Sequence, residues 1–336
     1  MVNPIVPSLH ASITGYISNG KLKEALLLYR QMQKEDSVHL DLHTIVGLVK
    51  ACGKCKDIGI GLRIHVDIVG MGLLEGSTFL MSTLVDMYAK CGFVTKAKQV
   101  FMKICNRDVV SWTSLITGYC DSGNGLKALE CLEAMKEDQI LPNDVTFVCV
   151  LRACSYADAR DKGREIHEEI ERRGLLETSI FLGSALVDMY VKFGMLVRAQ
   201  EVLEELSGRD LISWSVLIAG YAQQGQSFEA FSCFERMRSE GFTPDKVTFQ
   251  CLLSACSHSG LMGEAQFWLR NMTQEYNMIP DLQHRACMVV VFGSMGLFAE
   301  AISMTKVMTD SLEVCLTVLS ACKKWGNVKQ VQKISP

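Results

Sequence analysis

Residues Thr78 to Thr113 read TFLMSTLVDMYAKCGFVTKAKQVFMKICNRDVVSWT, and residues Ile180 to Ser215 read IFLGSALVDMYVKFGMLVRAQEVLEELSGRDLISWS. The two stretches are identical at 16 of 36 positions and lie 102 residues apart. The same offset carries Ala51-Cys52 to Ala153-Cys154 and on to Ala255-Cys256, and Gly61-Leu-Arg-Ile-His65 to Gly163-Arg-Glu-Ile-His167. A fixed internal period is the signature of a stacked repeat array. A shorter period sits inside it: the ITGY and IAGY strings, the LVDMY strings and the ACG and ACS strings recur at spacings of about 31, 35 and 36 residues. Successive units fall at about 6–41, 42–77, 78–108, 109–143, 144–179, 180–210, 211–245, 246–281 and 282–311, with a last one from 312.

Each unit repeats one pattern. SWTSLITGYCDSG places apolar residues at helical spacing and breaks at Gly123. LKALECLEAMKED does so again, and Leu141-Pro142-Asn143 closes the unit. Glycine and proline punctuate, and the rest is amphipathic helix. Two antiparallel helices cannot bury an apolar face alone, but stacked neighbours bury a continuous core. The expectation is an all-α solenoid of about 19 helices.

Composition agrees with that reading. The 336 residues would suggest two globular domains by length, yet the repeat makes the array one body. Apolar residues are 49% of the chain, as many buried helix faces require, and no run is long enough to span a membrane. Among the 14 cysteines, Cys52, Cys154, Cys256 and Cys322 each follow an alanine at one recurring helix position. That marks a small packing residue and a reducing compartment, not a disulfide framework. The net charge of −3 gives no bulk attraction to nucleic acid. The amino terminus, MVNPIVPSLHASITGY, enters the first unit with no secretory signal and no Arg- and Ser-rich presequence. The carboxyl end stops one helix pair into its last unit, so the chain reads as a fragment of a longer array or as a sequence trimmed at both ends.

The units resemble pentatricopeptide repeats of the plant organellar subclass that alternates long, standard and short motifs. The residues that carry the resemblance are DVVSWTSLITGY (Asp108 to Tyr119), LVDMYAKCG (Leu84 to Gly92), ACSHSGL (Ala255 to Leu261) and HRACMVVVFGSMG (His284 to Gly296). From Leu312, with SACKKWGNV (Ser320 to Val328), the tail resembles the start of the extension motif that follows such arrays. A tetratricopeptide array would show an even 34-residue period and a W-x-x-L-G-x-x-Y pattern, and neither is present. The resemblance implies a right-handed α-α superhelix of about nine helix-turn-helix motifs over 6–311, with a partial extension motif over 312–336.

The resemblance further implies sequence-specific binding of single-stranded organellar RNA, one base per repeat, as a specificity factor for cytidine-to-uridine editing or processing. It places the protein in the mitochondrion, with the chloroplast as the alternative. The family's code residues are the fifth and the last of each motif: Ser82 with Asp108, Thr113 with Asn143, Ser184 with Asp210, and Ser215 with Asp245. A carboxylate only accepts hydrogen bonds and suits guanine's N–H donors, whereas asparagine donates and accepts and suits adenine. With amino-terminal repeats at the 5′ side, the pairs spell G-A-N-G-G. Second-position Phe79, Val110, Phe181 and Ile212 would sandwich the bases, and Lys54, Lys90 and Lys192 would contact phosphates. Val46, Val148 and Gln250 hold the fifth position of the long motifs and do not discriminate. His10, Ala286 and Leu316 fit no code. Read without the resemblance, Ser, Thr and Asp beside turns are helix caps, and the two roles are compatible.

Three further motifs are set aside. His167-Glu168-Glu169 matches half of a zinc deaminase signature, but no P-C-x-x-C follows and His65 recurs at the same place. In Cys52-Gly-Lys-Cys55 only Cys52 recurs, and no strand–helix alternation supports a redox site. Gly123-Asn-Gly125-Leu-Lys-Ala128 mimics a dinucleotide fingerprint, but Gly123 is a helix–helix turn matched by Gly225. No catalytic residue, metal or cofactor is expected, so editing would be completed in trans by a deaminase-bearing partner or accessory factors. The competing readings are an α-solenoid scaffold that binds protein, and an inactive truncated remnant.

Overall fold

The computed structural model describes residues 5–32, 40–74, 77–297 and 300–301. The extension motif expected at 312–336, with Leu316 and Cys322, lies outside these residues, as does the side chain of His10. Seventeen α helices and one 3-10 turn make up the described secondary structure, in two compact units divided at Arg172 and Arg173.

Unit 1 holds five helix pairs: α1 (Ile5–Ser18) and α2 (Leu22–Met32), α3 (Leu42–Cys55) and α4 (Ile58–Gly70), α5 (Thr78–Lys90) and α6 (Val94–Phe101), α7 (Val109–Asp121) and α8 (Gly125–Glu137), α9 (Asp144–Ala157) and α10 (Arg160–Arg172). The odd-numbered helices pack side by side in one layer. Each of α2, α4, α6 and α8 lies against its partner and against the first helix of the next pair, and α10 lies against α9.

Unit 2 repeats the plan. After a 3-10 turn (Leu175–Glu177) come α11 (Ile180–Lys192) and α12 (Leu196–Glu205), α13 (Leu211–Gln223) and α14 (Ser227–Ser239), α15 (Lys246–Ser259) and α16 (Met262–Gln274), and α17 (Leu282–Ser294). Here α11, α13, α15 and α17 form the first layer.

Local chemistry explains the boundaries. α7 starts where the Asp108 carboxylate accepts the Ser111 N–H while the Ser111 hydroxyl receives the Asp108 N–H, a reciprocal capping box. It ends where Gly123 takes φ +74°, a left-handed turn that costs glycine nothing, and Asn124 N–H returns to Tyr119 O at 2.8 Å. Equivalent caps start α9 at Asn143, α13 at Asp210 and α15 at Asp245. The second helices α6, α8, α12, α14 and α16 have no side-chain cap hydrogen bond. They are held by packing instead.

The core lies between the two layers of each unit. Trp112 and Phe147 on the first helices of unit 1, and Trp214 and Phe249 on those of unit 2, are all buried. Phe101 meets Trp112 edge-on at 4.6 Å, and Phe234 meets Trp268 at 4.9 Å. Cys52, Cys154 and Cys256 are fully buried, and burial pushes each thiol up to about 12. They are packing groups with no thiolate to offer.

Candidate nucleic-acid interface

The candidate residues lie on or beside the first helices. The second position of each follows the cap, on the first turn and away from the partner helix. Phe79, Val110, Phe181 and Ile212 are accordingly exposed, at 59%, 56%, 73% and 59%. Val145 and Val247 hold the same place on α9 and α15 and are also exposed. Apolar side chains left in water at one repeating helical position are surfaces ready to stack a flat ligand.

The fifth-position hydroxyls lie one turn further in and are largely buried: Ser82 at 2%, Thr113 and Ser215 at 9%, with Ser184 half-buried. The last residues, Asp108, Asn143, Asp210 and Asp245, are the N-caps of α7, α9, α13 and α15. Capping and the proposed base-facing role therefore fall on the same side chains. Each cap uses one oxygen, Oδ1. Among the described residues, Oδ2 of the three aspartates and Nδ2 of Asn143 have no partner.

The structure joins fifth to last residue in two ways. Ser82 Oγ lies 3.4 Å from Asp108 Oδ1, and Ser184 Oγ donates to Asp210 Oδ1 at 3.0 Å. In the other two pairs a third residue intervenes. Thr113 Oγ1 lies 2.7 Å from Thr146 Oγ1, which donates to Asn143 Oδ1 at 2.9 Å. Ser215 Oγ lies 3.2 Å from Thr248 Oγ1, which donates to Asp245 Oδ1 at 2.8 Å.

One pair opens into a cavity of about 230 Å³, lined by Phe79, Val110, Ser82 and Asp108 and by Lys50 and Asp86. The Lys50 ammonium stands 5.3 Å from the Phe79 ring centroid. Of the three candidate phosphate contacts, Lys54 and Lys90 line a second hollow, together with Lys56, at the ends of α3, α5 and α7. Lys90 is paired with Asp86 at 2.6 Å, and Lys192 with Asp188 at 2.6 Å. All four groups are substantially solvated, so such pairs contribute little and a ligand phosphate can displace them.

Sequence reasoning missed Thr146, Thr248 and Lys50. The spacing Asn143-x-x-Thr146 and Asp245-x-x-Thr248 signals a cap, but nothing local ties either threonine to a residue 33 positions earlier. Lys50 lies one helical turn before Lys54 and was findable on that spacing. Ala286, which fits no code, follows a departure in the cap itself. His284 replaces the third-position hydroxyl, with Nδ1 2.5 Å from Asp281 Oδ1 and Nε2 donating to Lys246 O at 2.8 Å. His167 is buried on α10 with Nε2 3.2 Å from Glu171, and no cluster of metal ligands occurs among the described residues.

Two family models match along the chain: the PPR repeat family at residues 107–155 and 209–258, and the PPR repeat at 13–37, 79–109, 184–211 and 247–276. The chain belongs to the pentatricopeptide repeat family. This pentatricopeptide repeat protein is 39% identical over 299 residues to an Arabidopsis thaliana family member designated chloroplastic, covering 87% of this chain and 40% of the relative. It is 33% identical over 332 residues to a second, putative member from the same plant, covering 96% of this chain and 58% of the relative. A third, designated mitochondrial, is 33% identical over 287 residues, covering 85% of this chain and 51% of that one. The chain thus spans about half the length of the curated relatives it matches. Among solved structures, the pentatricopeptide repeat protein PPR10 in complex with an 18-nt psaJ RNA element superposes with a TM-score of 0.70 at 18% identity, covering 98% of this chain and 54% of that one. PPR10 from maize superposes at 0.55. The likeness shows the α-α superhelical fold.

Proposed function

We propose that this pentatricopeptide repeat protein binds single-stranded RNA in a plant organelle, mitochondrion or chloroplast. In this reading it is a specificity factor for cytidine-to-uridine editing or RNA processing, without catalysis of its own, and a deaminase-bearing partner or accessory factor completes the reaction in trans. Each helix pair acts as one repeat with the boundaries given above. The observation that carries the reading is the cavity lined by Phe79 and Val110 together with Ser82 and Asp108, whose Oδ2 is not used by the cap. Two apolar walls hold a flat base, and hydrogen-bonding groups meet its edge. PPR10, which holds an RNA element, and relatives designated chloroplastic and mitochondrial support the partner class and the compartment.

Gel-shift titration of a G-A-N-G-G oligonucleotide against a scrambled one tests the reading. The expected result is tighter binding of G-A-N-G-G, weakening with salt by about 0.7 log units per decade for each phosphate contact. Equal affinity for the two RNAs would sink it.

A further inference from the structure

We infer that Thr146 and Thr248, the third residues of α9 and α15, are positioning residues. Each fixes which hydrogen-bonding groups the pairs Thr113/Asn143 and Ser215/Asp245 offer to a base. The inference rests on the RNA-binding reading above and goes beyond it, because neither threonine faces the base itself.

The number of available protons fixes the direction of each bond. A hydroxyl has one hydrogen to donate and two lone pairs. Thr146 Oγ1 receives the Asn143 backbone N–H at 3.3 Å and lies 2.9 Å from Asn143 Oδ1. The amide oxygen has no proton, so Thr146 must donate there. Its single proton is then spent, and in the 2.7 Å contact with Thr113 the donor must be Thr113. Thr113 therefore presents only lone pairs to a ligand.

Asn143 is fixed by the same network. Its Oδ1 accepts the Thr146 N–H at 2.9 Å as well as the Thr146 O–H, which holds the amide with Nδ2 outward. The pair thus offers one acceptor and one donor, each locked. An unrestrained hydroxyl turns either way and cannot tell an amino group from a carbonyl. A hydroxyl whose proton is committed accepts from adenine's amino group and meets a carbonyl with lone pair against lone pair.

Thr248 does the same in unit 2. It receives the Asp245 N–H at 3.4 Å, donates to Asp245 Oδ1 at 2.8 Å, and leaves Ser215 as the donor across 3.2 Å. Ser215 oxygen and Asp245 Oδ2 are then both acceptors, matched to guanine's two N–H groups. Both threonines are fully buried, where water cannot supply a substitute proton. In the pairs Ser82/Asp108 and Ser184/Asp210 the third-position Ser111 and Ser213 bond only to their own caps. They complete the same capping box without touching the fifth residue, and so serve as controls.

The experiment measures affinities of wild type, Thr146→Val, Thr146→Ser and Ser111→Ala for G-A-N-G-G and G-G-N-G-G RNAs. Thr146→Val is expected to cut the adenine-over-guanine preference at the second base by about tenfold, while Thr146→Ser retains it and Ser111→Ala leaves it unchanged. The preference at the first base stays the same throughout. Wild-type discrimination that survives intact in Thr146→Val overturns the inference, as does an equal loss in Ser111→Ala, which would mark a capping effect. If wild type itself shows no preference at the second base, the code reading fails and takes the inference with it. Thr248→Val, read at the last guanine, repeats the test in unit 2 should Thr146→Val not fold.

Discussion

Asn143 shows how one atom changes chemistry while the structure around it stays fixed. Its Oδ1 caps α9, and its Nδ2 has no partner among the described residues. Asn143→Asp keeps Oδ1 and exchanges the outward donor for an acceptor. Asparagine and aspartate cap helices about equally well, so stability should change by no more than a few tenths of a kcal/mol. The second base of the preferred RNA should move from adenine to guanine, because only guanine presents N–H groups to two acceptors. Competition binding with all four bases at that place, beside a denaturation curve, checks both halves. A variant that loses its cap but not its preference for adenine would contradict the assignment of Nδ2.

Within the helix pairs, close approach decides which glycines matter. Gly125 opens α8, and a Cβ built on it would lie 2.5 Å from the backbone oxygen of Ala153 on α9. Backbone cannot step aside as a side chain does, so Gly125→Ala should push α8 off α9 and destabilise unit 1 by about 1–3 kcal/mol. Gly15, inside α1, has nothing within 4 Å of such a Cβ, and Gly15→Ala should stabilise by about 0.5–1 kcal/mol through helix propensity. Opposite shifts of the urea midpoint are the expected result, and shifts of the same sign would refute the packing account. Gly125 thus belongs to helix packing and not to a phosphate loop. The all-α array is legible in the sequence because apolar spacing, caps and glycine breaks are local signals that repeat. So are the residues beside the cavity, since Phe79, Ser82, Asp108 and Val110 recur at a fixed register. The Thr113–Thr146 contact is not legible. It joins the second turn of α7 to the first turn of α9 across 33 residues of sequence, and each threonine alone reads as helix filler or cap.

For the chain taken together, buried thiols set an alkaline limit. Cys52, Cys120, Cys154 and Cys256 are each pushed by burial from an ordinary value of 9.0 up to about 12, and burial moves Tyr88 up to about 12 as well. Above pH 9 the unfolded chain ionises its thiols while the folded chain holds them protonated. The folded state then binds more protons, and stability falls as pH rises. This contribution is fully present below about pH 9 and is lost progressively toward about pH 12. Urea unfolding followed by circular dichroism should show falling midpoints across that window, and constant or rising midpoints would contradict it. At pH 8 a thiol reagent should modify exposed Cys105 well before any of these four cysteines, which peptide mass mapping would reveal.

Asp108, Asn143, Asp210 and Asp245 are each a helix cap and, in the proposed reading, also a base-facing group, so inheritance acts on a narrow alphabet there. A mutation to alanine or leucine removes about 1 kcal/mol of helix capping before any question of RNA arises. Asparagine and aspartate codons differ by a single nucleotide, and both residues cap. On the proposed reading, a lineage can therefore exchange one target base for another in one step, without passing through an ancestor whose repeat unravels. The fold leaves open the mutational paths along which a target sequence drifts and closes most of the others.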